Sequence, residues 1–245
     1  MRVSVEVCVA SLAEARAAIA AGVDSIEACA WLACGGVTPS SGFVERVGVL
    51  RPRRLRVLCR PGPGGFRYSQ EEIDLVASDA LLLSGFQGVT GLVAGGFNQE
   101  GHVPWSAFGG LLGSGKEVSF HRAIDHAHDM LAVLDECVAH GVHRVLTSGG
   151  ETLAMDGARM IRRMVVRAEG RAVIAAAGGV HAGNVVELVE RTGVTEVHFA
   201  AQKPRADRAE GASMSSSNAG MDFSTEPDEA KIEGVLNALV KAGLR

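Results

Sequence analysis

The feature that most constrains this chain is an alternation repeated eight times. Short apolar runs with strand character take turns with longer segments of helical spacing. The pattern predicts strands over residues 3–9, 24–28, 55–59, 88–93, 117–121, 143–147, 172–177 and 195–200. It predicts helices over 11–21, 40–49, 69–83, 104–112, 127–140, 153–168, 182–191 and 227–242. Ser11 with Glu14, and Ser69 with Glu72, mark two helix starts as capping boxes, and Gly22 stops the first helix. Strands separated by helices pair in parallel through right-handed crossovers. Eight such units in 245 residues predict an α/β fold, a (β/α)8 TIM barrel forming a single domain over 1–245. A long loop is expected over 202–225, before the last helix. A doubly wound open sheet is the weaker alternative, because no Gly-x-Gly-x-x-Gly turn follows the first strand.

Composition removes other classes. With 47% hydrophobic residues and a net charge of −4, the chain is neither disordered nor basic, and no nucleic-acid partner is expected. Residues 80–99 carry no charge, yet five glycines interrupt them, so a helix end, a turn and a strand are expected there and no membrane span. The five cysteines show neither framework spacing nor a Cys-x-x-Cys, which points to a reduced, cytoplasmic protein.

Side chains alternate along a strand, so parity assigns those that face the barrel interior. With Val3, Val5 and Val7 outward, Glu6 and Cys8 face in; with Ile26 and Ala28 outward, Glu27 and Cys29 face in. The same rule turns Glu196 and His198 inward on strand eight, Arg60 on strand three and His121 on strand five. These residues lie at or near the carboxyl ends of their strands, where barrels of this kind carry their sites. Buried charges need partners, and Arg60 with Glu6 or Glu27 is the expected pairing. A purely architectural polar layer, with Arg60 bridging two glutamates, is the competing explanation. Cys59 and Cys137 read as core residues, Cys34 as a loop thiol, and the histidines other than 121 and 198 as solvated or capping. Two glycine-rich turns, Thr147-Ser148-Gly149-Gly150 and Gly178-Gly179 before a helix start near Ala182, are candidate anion cradles.

Seven strings occur in order: Val5-Glu6-Val7-Cys8, Ser25-Ile26-Glu27-Ala28-Cys29, Gly35-Gly36-Val37-Thr38-Pro39-Ser40, Arg60-Pro61, His121-Arg122-Ala123-Ile124-Asp125, Arg144-Val145-Leu146-Thr147-Ser148-Gly149 and Glu196-Val197-His198. Together they resemble the CutC family of copper homeostasis proteins, over residue 3 to about 214. The resemblance implies a TIM barrel, a cytoplasmic homodimer or homotetramer, and Cu(I) as the cofactor. It implies Cys8 and Cys29 as the metal ligands; thiolates suit Cu(I), and an imidazole, that of His198 or alternatively His121, can complete such a site. The chain departs from the family's Arg-Pro-Arg-Gly-Gly-Asp-Phe loop, which here reads Arg60-Pro61-Gly62-Pro63-Gly64-Gly65-Phe66.

A second function class competes. A barrel mouth of this make-up also suits acid–base chemistry on a small polar, sugar-like or phosphorylated substrate. The catalytic candidates are His121, Glu6, Glu27 and Asp125. The substrate-binding candidates are Arg60, Arg122, Ser148, Gly149, Gly178, Gly179 and Glu196. The expected partner is thus a metal ion or a small polar ligand. A scaffold acting only through oligomer contacts is the third possibility.

Overall fold

The computed structural model describes residues 2–205 and 224–245. Eight strands close into one parallel barrel: β1 (Ser4–Val9), β2 (Ser25–Ala28), β3 (Leu55–Leu58), β4 (Gly91–Ala94), β5 (Glu117–Phe120), β6 (Arg144–Thr147), β7 (Val173–Ala177) and β8 (Glu196–Ala200). Each pairs with the next in sequence, and β1 closes on β8 with Glu6 opposite His198. Outside run α1 (Leu12–Ala21), α2 (Ser41–Val49), α3 (Gln70–Ser84), α4 (Trp105–Leu112), α5 (Met130–Ala139), α6 (Ala158–Ala168), α7 (Val185–Thr192) and α8 (Glu229–Lys241). The expected (β/α)8 barrel is the observed one.

Local chemistry explains most boundaries. Ser69 accepts the Glu72 N–H, and the Glu72 carboxylate accepts the Ser69 N–H, a complete capping box. At α1 the Ser11 hydroxyl caps the Glu14 N–H, but the Glu14 carboxylate accepts from Ala10, one residue before the position a capping box requires. Three helices begin three or more residues later than the periodicity predicts. The α5 helix starts at Met130 because Asp129 caps two N–H groups, and Arg122–His126 forms a separate 3-10 turn. The α6 helix starts at Ala158 and α7 at Val185, because turns occupy the preceding residues. The expected loop over 202–225 is also corrected at its ends. There β9 (Gln202–Pro204) and β10 (Thr225–Pro227) pair antiparallel, and 206–223 lies outside the described residues.

Parity holds along the strands. Val3, Val5, Val7, Ile26, Ala28, Val57, Cys59, Val197 and Phe199 join the apolar layer between barrel and helices. The interior holds a small apolar cluster near its upper end, Cys8, Cys29, Leu58 and Val93. Cys137 is buried in the outer core, as expected. No helix among the described residues is long and apolar enough to cross a membrane.

Candidate functional site at the barrel mouth

The barrel interior is built in two levels. The lower is an ion-pair layer. Arg56 on β3 pairs with Glu6 on β1, with Glu117 on β5 at 2.7 Å, and with Glu196 on β8 at 3.1 Å. Arg144 on β6 pairs with Glu6 at 2.5 Å and with Glu196 at 2.6 Å. Burial alone would raise the Glu6 carboxyl, but Arg144 and Arg56 hold it well below the usual carboxylate range. The expected pairing of Arg60 with Glu6 or Glu27 does not occur. Sequence reasoning missed Arg56, Glu117 and Arg144, although the parity that turned Arg60 and His121 inward also points to them.

Above this layer a cavity of about 290 Å³ opens at the carboxyl ends of the strands. Of the candidate residues, Cys8, Glu27, Arg60, His121, Arg122, Gly178, Gly179 and His198 line it. Phe66 and Lys231, which sequence reasoning had not singled out, line it too. Cys29 is buried beside Cys8 in the same small apolar cluster, and its thiol donates to the Val9 carbonyl at 3.4 Å. The neighbouring Cys29, helped by His198, lowers the Cys8 thiol to about 5 despite its burial. The neighbouring Cys8 and burial push the Cys29 thiol well up. His198 Nδ1 lies 2.9 Å from the Glu6 carboxylate and 3.9 Å from Glu27. Burial works against an imidazolium there, but Cys8 and Glu27 raise its pKa well above the ordinary value. Burial also pushes the Glu27 carboxyl up to about 7, and its Oε2 has no hydrogen-bond partner.

On the opposite side of the mouth, His121 Nδ1 accepts the Ala123 N–H at 3.1 Å. Its ring packs 5.1 Å from Phe66, and a Cβ at Gly95 would stand 2.7 Å from Nδ1, so only glycine leaves room for it. Burial, with the Arg60 charge, lowers His121 to about 3, so the ring is neutral and carries its proton on Nε2. Arg60 donates to the carbonyls of Cys34, Gly36 and Gly64 at 3.1, 2.7 and 2.8 Å.

The remaining candidates sit away from the cavity. Glu6 and Glu196 belong to the ion-pair layer. Asp125 accepts from Thr147 Oγ1 at 2.5 Å, from the Ser148 and Gly150 N–H groups, and from Arg122 at 2.8 Å. Asp125 and Ser148 therefore tie the turn after β6 to the 3-10 turn after β5. Gly149, at φ 76°, lets Gly157 pack against it. The Gly178–Gly179 turn does not open a helix as expected, because α7 begins six residues later at Val185.

Among the described residues, ligand atoms of Glu6, Glu27 and His198 converge to within 4.8 Å. Both Glu6 oxygens already face arginines, so hard-cation binding there would displace two buried ion pairs.

Comparison with known proteins adds the lineage. The sequence profile of the CutC family matches residues 3–203. The human copper homeostasis protein cutC homolog is 34% identical over 242 residues, covering 96% of this chain and 88% of that one. The family protein CutC of Glaesserella parasuis is 34% identical over 238 residues, 95% of this chain and 97% of the relative. The crystal structure of the copper homeostasis protein CutC from Streptococcus agalactiae superposes with TM-score 0.74 at 27% identity, over 80% of this chain and 97% of that one. Phosphoribosylanthranilate isomerase from Thermotoga maritima shares the barrel at TM-score 0.58 and 11% identity, over 98% of this chain and 99% of that one, which speaks to fold alone.

Proposed function

The chain belongs to the CutC family, and from that membership we propose that it serves copper homeostasis by holding Cu(I) at the barrel mouth on Cys8 and Cys29. The observation that carries the reading is the pair of buried thiols packed side by side at the barrel mouth, one of them acidified. Two soft sulfur donors on adjacent strands match Cu(I) better than the carboxylates around them. His198 suits the third position. Its Nδ1 is oriented by the Glu6 carboxylate, the outer-shell support typical of ligating histidines, which leaves Nε2 for the metal. Binding would release the remaining thiol proton and the imidazolium proton. A reducing, cytoplasmic setting and a homodimer or homotetramer belong to the same proposal.

The test is an anaerobic Cu(I) titration of reduced protein against a competing chelator. Wild type should take up one tightly held equivalent, and Cys8→Ser/Cys29→Ser should lose it. Equal uptake by both proteins would overturn the reading.

A further inference from the structure

The cavity holds a second set of groups that the copper reading leaves unused. Arg60 is 4% exposed, and among the described residues it forms no ion pair. Its guanidinium donates to three carbonyl oxygens, stands 4.9 Å from the Phe66 ring and neighbours the Tyr68 hydroxyl, and its Nε has no hydrogen-bond partner. A buried cation with no anion is costly unless a ligand supplies the counter-charge. His121, also 4% exposed, presents a buried Nε2–H that likewise has no partner. The Ala123 bond to Nδ1 fixes the ring, so this donor is held in place rather than free to swing. Of the other cations in the lining, Arg122 pairs with Asp125 and His198 with Glu6, whereas Lys231 donates to the Ala200 carbonyl. Glu27 adds an unpartnered acceptor, Oε2, to the same cavity. The volume, about 290 Å³, lies at the small end for ligand pockets.

We propose that this cavity binds a small hydroxylated organic anion, with its anionic end on Arg60 and the His121 Nε2–H and a hydroxyl on Glu27. Sugar phosphates and sugar acids share that chemistry. The site goes beyond copper binding and does not depend on the cysteine pair.

Calorimetric titrations and thermal melts would use three probes: ribose 5-phosphate, gluconate, and ribose as the neutral control. At least one of the two anions should bind wild type saturably and raise its Tm by about 3 °C, and ribose should not. The anion that binds identifies phosphate or carboxylate as the recognised end. His121→Asn places an amide oxygen where Nδ1 accepts from Ala123 and removes the Nε2 donor. Arg60→Met removes the charge at similar length. Each should weaken binding about tenfold or more. His121→Asn carries the test alone if Arg60→Met fails to fold. Cys8→Ser/Cys29→Ser should retain anion binding, so loss of copper uptake and loss of anion binding are separate results. Absence of binding by both anions, equal binding of ribose, or wild-type affinity in His121→Asn would each overturn the proposal.

Discussion

His121 shows how one backbone bond sets the state of a buried side chain. The Ala123 N–H points at Nδ1, so protonating that nitrogen would set donor against donor. Burial and the Arg60 charge act in the same direction, and the pKa falls to about 3. The unfolded chain, near 6.5, therefore binds more protons than the fold between about pH 6.5 and 3, and stability rises with pH across that window. Glu27 and His198, both raised, act in the opposite sense. The His121 contribution thus emerges only by comparison. Urea unfolding at pH 7 and pH 5 should cost wild type up to about 1.4 kcal/mol per pH unit more than it costs His121→Asn. Identical pH slopes for the two proteins would show that His121 titrates normally in the fold.

The elements owe their boundaries to caps and turns more than to apolar periodicity. Ser69 and Glu72 satisfy each other's backbone donors and start α3 where the sequence places it. Ser69→Ala should lower stability by about 1 kcal/mol, read as a lower urea midpoint at unchanged m-value. Asp125 does comparable work between elements, accepting from the turn after β6 through Thr147, Ser148 and Gly150. Sequence reasoning placed Asp125 among the catalytic candidates and Ser148 and Gly149 among the substrate-binding ones, because the loops at the carboxyl ends of strands carry function in many barrels. Here these residues bond mainly to each other. The late starts of α6 and α7 share one cause. The apolar pattern runs on through turn residues such as Ala154 and Val180, which are buried without being helical.

At the scale of the molecule, the lower ion-pair layer links five of the eight strands. Glu6, Arg56, Glu117, Arg144 and Glu196 come from β1, β3, β5, β6 and β8. Glu6 is its centre, facing both arginines. Glu6→Gln leaves two buried guanidinium groups short of an anion and should cost about 3–5 kcal/mol. Equilibrium unfolding checks this, and a loss below about 1 kcal/mol would show that Glu117 and Glu196 suffice to neutralise both arginines. The same layer forms the floor beneath the mouth. It leaves the cavity's chemistry to Cys8, Glu27, Arg60, His121 and His198 above it.

The sequence by itself determined the barrel and the faces of its strands. Eight alternations leave few topologies open, and a period of two decides which side chains turn inward. Cys8, Cys29, Arg60, His121 and His198 were legible for that reason, and Cys59 and Cys137 as core residues. Tertiary structure decided the height of each side chain inside the barrel, because height depends on the stagger between strands, which parity does not carry. Arg60 lies four residues beyond Arg56 and past the end of β3, about 13 Å further on for an extended chain. Arg56 therefore meets Glu6, while Arg60 stands in the mouth among carbonyl oxygens. That difference in level separates the residues that hold the barrel together from those that face a ligand.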